Sequence, residues 1–390
     1  MNKPAKALLL ISFSVLLASS IWFSGTAAAA GLKKIWTLSE VQSSWLTISV
    51  QLGFILGTFL YALLNMADIF KTRSVFFFSA LLGAVFNAGF ALISKALFGA
   101  VLFRFLTGIT LAGVYPVGMK LVAQWFREKL GWRLGIMVGA LTLGTAIPYL
   151  IFALGADFNW RYLMLLASLL SLAGGLIVKI GIPDGPYLTA SPRFDMRAAF
   201  RVFKFRPFRL QAFGYFGHMW ELYAFWSLSA SYLGASFSRS VSAVSVPLVV
   251  FSVIGVGIFS CILGGWISRS VGEKAVAMAS LIVSCTFCVL SGIIFNLPPA
   301  LLIPALLLWG IFVISDSPQF SALAAQSCPA EYTGTALTIQ NGIGFAITAV
   351  SIQFIAWVSQ HVGWQWAFAF LAIGPFLGAV AMSRLKSRQT

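Results

Sequence analysis

Apolar stretches long enough to form helices that cross a hydrocarbon core roughly 30 Å thick follow one another along this chain with little between them. They fall near 7–31, 42–64, 74–94, 98–123, 134–155 and 161–180, then near 210–234, 243–267, 275–296, 300–323, 334–358 and 364–383. The pattern predicts an all-α membrane protein with about twelve transmembrane helices. Composition points the same way: 59% of the residues are hydrophobic and 9% charged, against roughly 25% charged in soluble globular domains. The opening stretch, with Lys3 and Lys6 before an apolar run ending in Ala27–Ala30, has the outline of a cleavable signal peptide. Its apolar run is longer than the usual signal core, so it reads as a first anchoring helix.

A net charge of +16 would point to nucleic acid in a soluble protein, so the placement of the 26 Lys and Arg decides its meaning. With the N-terminus inside, all but Lys33, Lys34, Lys95, Arg104, Arg161 and Arg239 lie in or beside cytoplasmic segments. That asymmetry is the positive-inside rule, and it predicts a multi-pass protein of the inner (plasma) membrane with both termini cytoplasmic. No basic aromatic groove or zinc spacing accompanies the charge, so no nucleic acid partner is expected. The four cysteines, at 261, 285, 288 and 328, make no disulfide framework. Cys285 and Cys288 have the CxxC spacing inside an apolar span, where packing is the expected role rather than redox chemistry.

The segment Gly181-Ile-Pro-Asp-Gly-Pro186 and the basic stretch after it, with Arg193, Arg197, Arg201, Lys204, Arg206 and Arg209, divide the chain. The expected organisation is a six-helix bundle over 1–180, a cytoplasmic basic linker over 181–209 and a second six-helix bundle over 210–390. The halves repeat weakly. Asp68 and Arg73 after the second span correspond to Arg269 and Lys274 after the eighth at an offset of 201, and Asn159-Trp160-Arg161 opens the sixth span as Gly363-Trp364-Gln365 opens the twelfth. Two six-helix repeats joined by a central loop are what alternating access requires.

These residues resemble the major facilitator superfamily, bacterial secondary transporters among them, over nearly the whole chain. The family's loop motif survives after the second span as Asp68 and Arg73, with Leu64 where glycine is expected. After the eighth span it keeps Gly265, Gly272 and Lys274 but carries Arg269 in place of the acid. Arg104-Phe-Leu-Thr-Gly108 matches the Arg-x-x-x-Gly element of the fourth span, and Gly135, Gly139, Gly144 and Pro148 resemble the Gly/Pro-rich fifth helix of antiporters. The resemblance implies a conformational gating role for Asp68, Arg73, Arg269 and Lys274. It links Arg104 to proton coupling.

Ionisable residues at membrane depth are costly and so are functional candidates. His218 and Glu221 lie three residues apart, on one helix face and within mutual reach. Histidine titrates near physiological pH, so the pair is the expected proton-coupling element, with mutual packing as the alternative. A metal reading of His-x-x-Glu lacks further ligands, since His361 lies at an outer loop; no metal and no cofactor is expected. Asp316 and Gln319 flank Pro318, which frees backbone carbonyls beside an acid and suits ion or substrate binding, or else marks a capped kink. Arg104 is expected to share a face with Gly108 and Tyr115 and to relay charge or bind an anionic substrate, while Lys120 snorkels toward the cytoplasmic interface. Gln51, Asn87, Gln340 and Asn341 either line a path or bond between helices. Trp220, Tyr223 and Trp226 are candidates for a stacking surface.

The expected function is secondary active transport of a small or medium polar solute by proton-coupled symport. An organic anion fits Arg104 best. A proton-antiport exporter of a drug or metabolite is the alternative. A membrane-embedded enzyme lacks a nucleophile motif and a soluble domain, so no enzyme activity is expected. The expected partners are a small-molecule substrate, protons and the lipid bilayer, with the chain acting as a monomer.

Overall fold

A computed structural model describes residues 3–128, 130–155, 159–187, 201–239, 244–329 and 332–386. Among them there is no strand. Eleven helices are long and apolar enough to cross a membrane: α1 (Lys3–Trp36), α2 (Glu40–Leu63), α3 (Thr72–Ile93), α4 (Leu97–Trp125), α5 (Leu130–Leu154), α6 (Trp160–Gly181), α8 (Val246–Val271), α9 (Glu273–Ile294), α10 (Pro299–Gln326), α11 (Thr333–Val362) and α12 (Trp364–Ser383). The twelfth long helix, α7 (Arg206–Phe237), has 32 residues. It carries Gln211, His218, Glu221 and several serines, which set its composition apart from the others. The chain is therefore an all-α, multi-pass membrane protein, as the apolar stretches predict.

Several helices are interrupted, and proline explains two of the breaks. Pro318 cannot donate to the carbonyl of Ile314, and α10 breaks at Asp316, between Ser315 and Ser317. Pro116 does the same in α4, which breaks between Leu111 and Tyr115. The expectation of a continuous fourth helix sharing one face from Arg104 to Tyr115 fails for this reason. α1 breaks between Ser19 and Ser24 without proline. Here Ser20 Oγ donates to the Leu17 carbonyl (2.7 Å) and Ser24 Oγ to the Ile21 carbonyl (3.0 Å), local bonds that compete with the helix ladder.

The chain divides into two compact units, Met1–Ser191 with Ser245–Ile258, and Pro192–Val244 with Phe259–Thr390. In the first, α1 packs on α5 and α6, α2 on α4, α3 on α4 and α6, and the first part of α8 (Val246–Gly255) on α5. In the second, α7 packs on α11 and α12, and α9 on α10 and α12. The rest of α8 joins α10, with Ser260 Oγ donating to the Ile311 carbonyl at 2.5 Å. Close crossings use glycine: a Cβ on Gly108 would strike the Val50 carbonyl of α2, and one on Gly217 the Gly374 carbonyl of α12.

The repeat legible in the sequence recurs as side-chain tethers inside each unit. Gln124 Nε2 donates to Thr72 Oγ1 (2.7 Å) in the first unit, and Gln326 Nε2 to Glu273 Oε1 (3.3 Å) in the second. Arg161 Nε donates to the Ala91 carbonyl (3.0 Å), and Gln365 Nε2 to the Gly292 carbonyl (3.3 Å). Arg73 Nη1 donates to the Ile182 carbonyl (3.4 Å) just past α6, and Lys274 Nζ to the Leu385 carbonyl just past α12. In this last pair a cation meets the carbonyl-rich end of the final helix of its half, where the helix dipole favours positive charge.

Candidate functional site

Two buried polar clusters stand out, one in each unit. In the first, α4 carries Arg104 into complete burial. Its Nε donates to the Leu46 carbonyl (3.2 Å), and its Nη1 to the Ile21 carbonyl (2.7 Å), Ser24 Oγ (3.3 Å) and Asn87 Oδ1 (3.2 Å). Its Nη2 donates to the Trp22 carbonyl. The break in α1 supplies the Ile21 and Trp22 carbonyls. Asn87 is fixed in turn, its Nδ2 donating to the Met164 carbonyl (2.8 Å) and Ser168 Oγ (3.0 Å) of α6. Gly25 makes room for the guanidinium, since a Cβ there would lie 2.8 Å from Arg104 Nε. Every one of these partners is neutral, and Arg104 has no carboxylate partner among the described residues.

In the second unit the expected pairing of His218 with Glu221 does not form. His218 Nδ1 lies 2.9 Å from Asp316 Oδ1 at the break in α10, both residues being buried. Glu221 instead accepts from Trp309 Nε1 (2.6 Å) and Cys288 Sγ (3.3 Å) on Oε1, and from Ser284 Oγ (2.8 Å) on Oε2. Positions i and i+3 share a helix face only loosely, about 60° apart at 3.6 residues per turn. That angle turns His218 to the break in α10 and Glu221 to α9 and the turns of α10 before the break. Trp309 and Ser284 escaped the sequence reading, and Cys288, read as a packing residue, bonds the carboxylate instead. The available signal for Trp309 is its position seven residues before Asp316, two turns along one face of α10.

His218 Nε2 and Gln319 Nε2 are buried and have no hydrogen-bond partner among the described residues; the same holds for both amide atoms of Gln51 in α2 and for Tyr149 OH in α5. Tyr215 and Phe320 set their rings 5.9 Å from the imidazole. Gln340 and Asn341 of α11 bond to α7: Gln211 Nε2 donates to Gln340 Oε1 (2.7 Å) and Tyr215 OH to Asn341 Oδ1 (3.1 Å). Tyr223 contacts Trp226 (5.5 Å) and Phe345 (5.2 Å), while Trp220 is half-buried against Phe354 (5.8 Å) and donates to the Phe370 carbonyl at 3.4 Å. Tyr115 is half-buried on the far side of the break in α4 from Arg104.

The loop residues are only partly as expected. Lys120 reaches the loop after α2, where its Nζ donates to Asp68 Oδ1 at 2.5 Å, an ion pair between that loop and the end part of α4. Arg73 faces Asp184 at 3.9 Å. Arg269 is exposed. Gly272 opens α9 at φ 84°, a left-handed conformation that favours glycine. No three His, Cys, Asp or Glu side chains gather to hold a metal among the described residues, and Cys285 and Cys288 are free thiols.

Comparisons with known proteins extend this geometry. A niacin transporter of Acinetobacter baylyi is 29% identical over 177 residues, 42% of this chain and 37% of that protein's length. A protein of Haemophilus influenzae named for metabolite transport is 24% identical over 368 residues, 86% of this chain and 84% of its own. The structure of a major facilitator superfamily proton:xylose symporter bound to 6-bromo-6-deoxy-D-glucose superposes with a TM-score of 0.72 at 14% identity, covering 98% of this chain and 96% of that one, a likeness of fold. The family model of the Major Facilitator Superfamily matches residues 8–350 and 211–389. With repeated tethers and a family-model match along nearly its whole length, this chain belongs to the Major Facilitator Superfamily, a family of membrane transporters.

Proposed function

We propose that this chain is a proton-coupled symporter of a small or medium polar solute, an organic anion, acting as a monomer in the inner (plasma) membrane with both termini cytoplasmic. The observation that carries the coupling is the buried His218–Asp316 pair at the break in α10, whose imidazole keeps one nitrogen unpartnered among the described residues. An imidazole beside a carboxylate at a helix break can take up and release a proton without unfolding its surroundings. Glu221 is held by three donors and has no such freedom, so its role is to anchor α7 to α9 and α10.

Arg104 supplies a fixed buried positive charge with only neutral partners, which favours an anionic solute. The unused hydrogen-bonding atoms of Gln51 and Gln319 are the residues assigned to substrate, with Tyr223 and Trp226 as stacking surfaces. Niacin, named for the relative in Acinetobacter baylyi, is a carboxylic acid of this size and polarity. Asp68 with Lys120, Arg73 with Asp184, Lys274 at the end of α12, and Arg269 form the gating set.

The test uses purified protein in sealed vesicles with an imposed pH gradient. Uptake of labelled nicotinate and other small carboxylates is expected to exceed that of neutral analogues and to collapse with the gradient. His218→Asn is expected to abolish gradient-driven accumulation while sparing solute exchange. Gradient-driven accumulation by that variant equal to the wild type would remove His218 from coupling, and accumulation only when the gradient is reversed would favour an exporter.

A further inference from the structure

We propose that the first unit carries a binding site for the headgroup of an anionic phospholipid at the end where α1 begins. A cavity of about 870 Å³ opens there between the first two turns of α1, the end of α4, the start of α5 and Tyr187. Its walls divide by chemistry. Leu8 and Leu9 give it an apolar side, and Leu9 is 54% exposed on α1. Arg127 and Arg133 give it a cationic side, with Glu128 as the one acidic residue among the lining.

Neither arginine is spent on an ion pair among the described residues. The Arg127 guanidinium lies 4.9 Å from the Tyr187 ring centroid, and that of Arg133 lies 4.1 Å from the Phe126 ring. Arg133 Nη1 also donates to the Glu128 carbonyl. Stacked in this way, the planar guanidiniums keep N–H groups for an oxyanion, and their fork suits phosphate. Trp125 adds an indole N–H that is buried without a hydrogen-bond partner. Tyr187, beside Arg127, is held in place, its amide donating to the Gln124 carbonyl at 3.0 Å and Gln124 tied to Thr72.

The cavity lies where α1 and α5 start and α4 and α6 end, the level at which headgroups meet membrane-crossing helices. Basic pockets between such helices select anionic headgroups, and tryptophan is favoured at that depth. A free phosphate has no use for the apolar turn of α1, and a zwitterionic lipid offsets the charge that two arginines attract. The site is independent of the coupling residues and of the substrate.

Native mass spectrometry of the full chain in detergent tests it, with phosphatidylglycerol, phosphatidylcholine and inorganic phosphate as separate probes. Phosphatidylglycerol is expected to bind more than about tenfold more tightly than phosphatidylcholine, and each of Arg127→Gln and Arg133→Gln to cost roughly fivefold. Leu9→Gln is expected to weaken the lipid as well. Equal binding of the two lipids, lipid binding unchanged in the arginine variants, or inorganic phosphate binding as tightly as the lipid would overturn the proposal. Arg127 is exposed, so its variant serves even where Arg133→Gln does not fold.

Discussion

The two buried clusters occupy matching places in their repeats and solve opposite problems. Each sits where the first, third and fourth helices of its half meet, and Asn87 on α3 falls at the repeat position of Cys288 on α9, an offset of 201. In the first unit a cation is surrounded by carbonyls, a hydroxyl and an amide oxygen. In the second a carboxylate is surrounded by an indole, a thiol and a hydroxyl. The tethers that set helix position are kept between the halves, and the charge at the centre is not. Packing geometry thus constrains the repeat at its helix ends, whereas the interior polarity is free to diverge so long as each buried charge finds partners.

If both clusters are cages for a single charge, removing the charge is the most damaging change. Arg104→Met removes the donor shared by the Leu46, Ile21 and Trp22 carbonyls, Ser24 and Asn87 and leaves a cavity lined by polar groups, and is expected to cost about 3–5 kcal/mol, read as thermal unfolding in detergent. A shift no larger than that of a surface variant would show that the Arg104 charge does not hold its cage together. Glu221→Gln keeps the shape but weakens bonds from Trp309, Ser284 and Cys288, with an expected cost of about 1.5–3 kcal/mol by the same assay. Gly25→Ala crowds Arg104 without touching its charge and is expected to cost about 1–3 kcal/mol. An unchanged melting temperature would show that the cage has slack.

The helix-end tethers are expected to matter less than the buried charges. Gln124→Ala and Gln326→Ala each remove one hydrogen bond at equivalent positions, and each is expected to cost about 0.5–1.5 kcal/mol, with the buried Gln124 site at the upper end. Larger losses than at Glu221 would place the constraint at the helix ends alone.

The spans and the α10 break were legible because apolar length and Pro318 are local signals. Pro116 carried the same signal as Pro318, yet it sits in an apolar run beside Tyr115 and Val117, where the break does not alter the hydropathy. The break in α1 had no proline to announce it; it depends on serine hydroxyls bonding back to the chain, and its carbonyls serve an arginine 83 residues away. The misassigned partner of Glu221 has a similar cause. Spacing along α7 tells which groups share its surface, but not that α9 and α10 present Ser284, Cys288 and Trp309 to one of them and Asp316 to the other. Cys288 looked like packing because a thiol at membrane depth reads as apolar until a carboxylate is placed beside it.

In the proposed mechanism, protons act on His218 and Asp316 while Glu221 holds the helices together. The most direct measurement compares Asp316→Asn with Glu221→Gln in sealed vesicles, following gradient-driven uptake and solute exchange in the same preparations. Asp316→Asn is expected to lose the response to the pH gradient and retain exchange, and Glu221→Gln to keep both with a lower melting temperature. Loss of the gradient response in Glu221→Gln with its retention in Asp316→Asn would contradict it.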